Sequence, residues 1–154
     1  MAEDQGHNYL TLICICLFLQ AGCTHSSQWQ YQNMSSCTPA YNYAKLNYTP
    51  ENLSTGIGIE ILKGEKTQGF FNIYSGKISS AEGILWIDHS PIYFKGTLLE
   101  GKQRLALPPA ITRDIIDSLQ SGRHIIATLP GYYTEISQED APHAFVGQWH
   151  EQAK

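Results

Sequence analysis

Charged residues are scarce in this chain, and basic residues are the scarcer kind. Of its 154 residues, 16% are charged, and ten Lys and Arg stand against fourteen Asp and Glu, for a net charge of −4. A nucleic-acid-binding protein needs a basic patch that neutralises phosphates. The composition therefore predicts no nucleic-acid partner.

Catalytic and cofactor motifs are also missing. There is no Gly-x-Ser-x-Gly nucleophile elbow, and Gly56-Ile57-Gly58 lacks the third glycine of a dinucleotide-binding loop. None of the six histidines has a partner at the i, i+4 spacing of a helical metal site. Asp88-His89-Ser90 has the residue types of a hydrolytic triad, but neighbours in sequence cannot converge on one substrate, so it is interpreted as a turn. The sequence predicts no catalytic residue, no metal and no cofactor.

What the chain does have is an apolar run from Tyr9 to Gly22. This run is shorter than the ~20 residues of a membrane-spanning helix and matches a signal segment. Its end, Leu19-Gln20-Ala21-Gly22-Cys23, resembles the signal peptide of bacterial lipoproteins. The resemblance implies that residues 1–22 are removed and that Cys23 carries fatty acids such as palmitate. It also implies anchoring in the cell envelope, at the outer membrane or the periplasmic face.

The signal departs from the family pattern in two places. Gln20 stands where the family usually has an aliphatic residue, and residues 1–9 contain two acids and no Lys or Arg. An ordinary cleaved signal with a secreted product and an uncleaved apolar segment are the alternatives. If Cys23 is not lipidated, it can form a disulfide with Cys37. Because residues 1–22 hold two acids and no base, their removal changes the net charge from −4 to −2.

The remaining chain divides by composition at about Gly56. Residues 23–55 are rich in Ser, Asn, Gln, Thr and Tyr and poor in aliphatics, which predicts a polar tether. The alternation Tyr41-Asn42-Tyr43 allows a short edge strand as an alternative. Residues 56–154 are predicted to form a single domain.

Within that domain, short apolar runs bounded by Gly or Pro predict strands at 56–62, 69–74, 83–87, 92–95, 97–99 and 104–107. A helix is predicted over Pro109–Ser121, with Ile111, Ile115 and Leu119 on its buried side. A hairpin follows, with strands at 124–129 and 132–136 joined by Pro130-Gly131. Phe145 and Trp149, four residues apart, allow a second helix near the C-terminus.

These elements predict an α+β fold: a mainly antiparallel sheet or open barrel of five to seven strands with one packed helix. Tyr132 and Tyr133, beside the Pro130-Gly131 turn, are the candidate partner contacts. The favoured function is a membrane-anchored envelope lipoprotein that acts as a binding or assembly component, with an envelope protein as the candidate partner. The alternatives are a periplasmic hydrolase whose site forms only in the fold, and a secreted effector or inhibitor.

Overall fold

A computed structural model describes residues 28–34 and 43–136 of the chain. The described residues form ten strands and one helix. In chain order these are β1 (Trp29–Met34), β2 (Tyr43–Tyr48), β3 (Ile57–Lys63), β4 (Thr67–Ile73), β5 (Glu82–Ile87), β6 (Ser90–Lys95), β7 (Thr97–Leu98), β8 (Arg104–Ala106), α1 (Pro109–Gln120), β9 (Ile125–Leu129) and β10 (Tyr132–Ile136).

The strands form two antiparallel sheets around one hydrophobic core. One sheet has six strands in the order β1-β2-β3-β4-β8-β7, and the other has four in the order β10-β9-β5-β6. Side chains from both sheets belong to a single cluster of buried residues. The contact between the sheets includes Phe71 of β4 and Phe94 of β6, whose ring centroids lie 5.8 Å apart in an edge-to-face arrangement.

The antiparallel α+β fold with one packed helix is confirmed, but the strands form two sheets instead of one sheet of five to seven strands. The prediction treated strands that follow one another in the chain as neighbours in space. The chain instead changes sheets three times: between β4 and β5, between β6 and β7, where Gly96 lies, and between β8 and β9, where α1 lies. A Cβ at Gly96 would meet the Ala106 carbonyl oxygen at 2.6 Å, so the β6–β7 crossing needs a residue without a side chain.

Two strands lie within the segment predicted to be a tether. β1 and β2 pair in antiparallel register and extend the six-stranded sheet beyond β3. Leu46 is fully buried, and the rings of Trp29 and Tyr48 lie 5.0 Å apart in the core. Gln30 and Gln32 of β1 and Lys45 and Asn47 of β2 occupy the alternate, outward positions of these strands. This part of the expected tether therefore belongs to the sheet.

The predicted helix forms where expected and buries the expected residues. Ile111, Ile115 and Leu119 are buried and join the common core. Against β4, a Cβ at Gly69 would lie 2.5 Å from Thr112 Oγ1, so the absence of a side chain lets the helix approach the strand closely. Gly122 follows the helix with a φ of +63°, a left-handed conformation that favours glycine.

The β9–β10 hairpin also forms as predicted. Leu129 pairs with Tyr132, and Gly131 has a φ of +84°, as the third position of a type II turn requires. Cys23 and the second helix allowed near Phe145 and Trp149 lie outside the described residues.

Candidate functional site

The outward side of the four-stranded sheet carries apolar and aromatic side chains. Leu85 and Ile87 of β5 point into the core, so the alternating Ile84 and Trp86 point outward. The strand pairing places them beside further outward residues of β6, β9 and β10. The aromatic face is the set Ile84, Trp86, Tyr93, Ile126 and Tyr133.

Two tyrosines are the most exposed members of the aromatic face. Tyr93 is 75% exposed and Tyr133 is 50% exposed. Both belong to one row across the sheet, because Ile84 pairs with Tyr93 on one side and with Thr128 on the other, and Thr128 pairs with Tyr133. The two rings lie on the opposite edge strands β6 and β10, with Ile84 and Thr128 of the inner strands between them, so the row forms one continuous surface that can contact a partner.

A hydrogen-bonded group of three polar side chains borders this face. The Tyr133 hydroxyl donates to Glu135 Oε2 at 2.8 Å, and His124 Nε2 lies 2.7 Å from Glu135 Oε1. The hydrogen bond from Tyr133, followed by that from His124, holds the pKa of Glu135 below its ordinary value. The same bond to Glu135, together with partial burial and the negative charge of Glu135, raises the pKa of Tyr133. The group therefore fixes the orientation of the Tyr133 ring.

The turn between β5 and β6 positions His124. Asp88 and His89 have φ values of +45° and +73°, so both occupy the left-handed conformation of a tight two-residue hairpin turn. The Asp88 side chain accepts a hydrogen bond from the His124 amide at 3.0 Å, and the Asp88 amide donates to the His124 carbonyl at 3.1 Å. The expected turn is confirmed at Asp88-His89, whereas Ser90 pairs with Ile87 and begins β6.

A cleft of about 350 Å³ lies beside β10, the edge strand that carries Tyr133. It separates β10 from the segment that precedes β3. Its lining includes Tyr133, Glu135, Pro50 and Asn52. The amide of Tyr133 donates to the Thr55 carbonyl at 2.8 Å, which ties the edge of the four-stranded sheet to this segment. The cleft gives the aromatic face a concave border next to Tyr133.

The two tyrosines predicted as partner contacts point to opposite sides of the sheet. Tyr133 belongs to the aromatic face, whereas Tyr132 is half-buried, packs against the core and donates its hydroxyl hydrogen bond to the Ser75 carbonyl at 2.8 Å. The adjacent aromatics Tyr93-Phe94 and Tyr132-Tyr133 predict that one residue of each pair faces away from the core, and an exposed aromatic patch was one interpretation; the sequence did not show which residue of each pair faces outward. β5 and β6 carry apolar residues at both alternating positions, which indicates that the outward side of these strands is apolar too. Only the strand pairing shows which of these outward residues lie side by side.

Within 28–34 and 43–136, no three His, Cys, Asp or Glu side chains are grouped so that they could hold a metal ion. His124 and Glu135 form an acid–base pair, but both are solvent-accessible. In this part of the chain, no helix has the length and hydropathy needed to cross a lipid bilayer.

Comparison with protein-family models, with curated proteins and with solved structures finds no match to this chain.

Proposed function

We propose that this chain is a lipid-anchored component of the bacterial cell envelope that binds a protein partner through its aromatic face. The observation that carries the binding role is the exposure of Tyr93 and Tyr133 in one row across the outward side of the four-stranded sheet. Tyrosine and tryptophan side chains contribute much of the binding energy at protein interfaces, because they bury large areas at low cost in conformational entropy.

The distribution of polar groups supports a protein as the partner. Ile84, Trp86 and Ile126 make the centre of the face apolar. Polar and ionisable groups lie at its two ends: the His124–Glu135 hydrogen-bonded pair at one, and Glu82 with Lys95, 4.0 Å apart, at the other. An apolar centre with a polar rim is the usual anatomy of a protein–protein interface.

The anchor is supported by the resemblance of Leu19-Gln20-Ala21-Gly22-Cys23 to a lipoprotein signal. Five residues, 24–28, separate Cys23 from the start of β1 at Trp29. A fully extended chain of that length spans about 20 Å. A lipid on Cys23 would therefore hold the six-stranded sheet close to the membrane surface, and the partner would be an envelope protein at that membrane.

One observation favours a second candidate function, a periplasmic hydrolase. His124 and Glu135 lie at the 2.7 Å separation of a hydrogen-bonded general base and its orienting carboxylate. The pair stands on an open surface, where water competes for every hydrogen bond. The aromatic face is the larger and more exposed feature, and we therefore favour binding.

The experiment compares the proteins retained by tagged full-length chain after solubilisation from membranes. Tyr93→Ala combined with Tyr133→Ala removes both exposed rings of the aromatic face. Tyr43→Ala is the matched control, because Tyr43 is an exposed tyrosine on the other sheet. We expect the wild type and the control to retain one envelope protein. The amount of that protein retained should be at least tenfold lower with the double variant.

Equal retention by all three proteins would contradict a role for the aromatic face. Hydrolysis of a model ester that is lost in His124→Ala, with no protein depleted by the double variant, would support the hydrolase instead. Thermal melting of each variant shows whether a loss of retention reflects a loss of folding.

A further inference from the structure

The outward side of the six-stranded sheet is chemically different from the aromatic face. Strand pairing places Glu60 beside Asn47 and Phe70, and places Asn72 between Gly58 and Arg104. Charged and amide side chains therefore occupy the centre of this surface, on four adjacent strands.

Glu60 is the centre of an ion cluster on this side. It is only 6% exposed, although it points away from the core, because neighbouring side chains cover it. Its carboxylate accepts hydrogen bonds from Arg104 Nη2 and from Lys45 Nζ, the latter at 2.7 Å. The guanidinium of Arg104 also lies over the Phe70 ring, 3.9 Å from its centroid.

Among the residues that the structure describes, the cluster has two cations for one carboxylate. The side chains of Lys45 and Arg104 remain 31% and 37% exposed, respectively, so both can reach a ligand in solution. The contacts with Glu60 and Phe70 hold them in fixed positions. The cluster therefore presents one excess positive charge with ordered donors.

An aromatic platform lies next to the cluster. A Cβ at Gly58 would lie 2.5 Å from the hydroxyl and 3.0 Å from Cε2 of Tyr74, so the outer end of this ring lies directly over the glycine backbone. The ring extends from the end of β4 over the neighbouring strand β3, and Tyr74 is 43% exposed. Any side chain at Gly58 would displace it.

The platform and the cations lie within reach of one small ligand. Gly58 and Glu60 are two residues apart on β3, which corresponds to about 7 Å. Asn72 and Arg104 are directly opposite each other on β4 and β8, and Asn72 is also opposite Gly58. A ring stacked on Tyr74 would therefore have amide and cationic donors at its edge.

We propose that this surface, formed by Tyr74, Asn72, Lys45, Glu60 and Arg104, binds an acidic saccharide. The apolar C–H side of a sugar ring fits the exposed tyrosine ring, and the Asn72 amide can both donate to and accept from sugar hydroxyls. The sugar carboxylate is placed to receive hydrogen bonds from Arg104 and Lys45. The excess positive charge favours an anionic sugar over a neutral one. The proposal rests on the six-stranded sheet and is independent of the aromatic face.

The test measures binding of trigalacturonate to the full-length chain in detergent by isothermal titration calorimetry, with neutral galactotriose as the comparison. We expect the acidic trisaccharide to bind and the neutral one to bind at least fivefold more weakly. Tyr74→Ala should weaken trigalacturonate binding at least tenfold. Tyr74→Phe, which keeps the ring, should stay within about threefold of the wild type.

Lys45→Met keeps the length of the side chain and removes its charge. We expect it to reduce the preference for the acidic over the neutral trisaccharide, with little change in galactotriose binding. Absence of trigalacturonate binding to the folded wild type, equal binding of both trisaccharides, or full binding by Tyr74→Ala would each overturn the proposal.

Discussion

At the scale of single residues, Glu135 organises the border of the aromatic face. It bonds both to Tyr133 and to His124, and it lies on the same strand as Tyr133 with one residue between them. The bond lowers the pKa of Glu135 and raises that of Tyr133, since ionised tyrosine can neither donate this bond nor tolerate the neighbouring carboxylate. The lowered pKa of Glu135 and the raised pKa of Tyr133 therefore arise from the same hydrogen bond.

The first prediction concerns the titration of Tyr133. Glu135→Gln should lower the pKa of Tyr133 toward the ordinary value of 10.0, because it removes the negative charge and weakens the acceptor. The measurement is the pH dependence of the Tyr133 ring-carbon chemical shifts. Glu82→Gln is the control, because it removes an exposed carboxylate from the opposite end of the same sheet.

The raised pKa of Tyr133 determines the direction in which the stability of the protein changes with pH. A tyrosine whose pKa is higher in the folded protein contributes stability that is present below its unfolded pKa and is lost as the pH rises through the folded value. Wild-type stability should therefore decline more steeply above pH 10 than that of Glu135→Gln. An unchanged Tyr133 titration in Glu135→Gln would show that the hydrogen bond does not persist in solution.

At the scale of elements, local patterns predicted most strands, the hairpin turns and the helix. The predicted helix Pro109–Ser121 matches α1 to within one residue, because Pro109 and Gly122 bracket a stripe with helical spacing. β1 was missed, and β2 was anticipated only by the alternative of a short strand ending at Tyr43, because polar residues such as Gln30 and Asn47 fill the outward positions of both strands. Their apolar residues can be assigned to the core only from contacts between residues that are distant in sequence, such as Trp29 and Tyr48.

The packing of α1 gives the second prediction. Ile115 is fully buried, so Ile115→Ala should lower the free energy of unfolding by about 2–5 kcal/mol through lost burial and the cavity left behind. Arg113→Ala, on the exposed side of the same helix, should change it by less than about 0.5 kcal/mol. Urea unfolding followed by circular dichroism measures both. Similar small effects at the two positions would mean that the helix does not dock on the core in solution.

At the scale of the whole molecule, two sheets present two chemically different outer surfaces. The sequence indicated Tyr133 through its turn, yet Trp86 and Tyr93 could not be grouped with it. Trp86 and Tyr93 belong to one hairpin, whereas Tyr133 is distant in sequence and shares their face only because β5 also pairs with β9 and β9 pairs with β10. For the same reason, the cluster of Lys45, Glu60 and Arg104 could not be predicted from local patterns.

The proposed anchor gives the third prediction. Cys23→Ser should release the protein from membranes, because it removes the site of lipid attachment, whereas Cys37→Ser should leave it membrane-bound. Cell fractionation measures the release, and the intact mass of the extracted wild type should exceed that of the cleaved chain by its acyl groups. A wild type without acyl mass, together with a membrane-bound Cys23→Ser, would rule out the lipid anchor. A Cys23–Cys37 disulfide in the mature protein would favour the secreted alternative.

The most direct test of a protein-binding aromatic face is site-specific photo-crosslinking in intact cells. A photoreactive phenylalanine analogue replaces Tyr93 or Tyr133, or, as a control, the exposed Glu100 in the β7–β8 connection. We predict that positions 93 and 133 both yield an adduct with the same envelope protein and that position 100 does not. Recovery of monomer alone, or of a crosslinked pair of copies of this chain, at positions 93 and 133 would contradict the account.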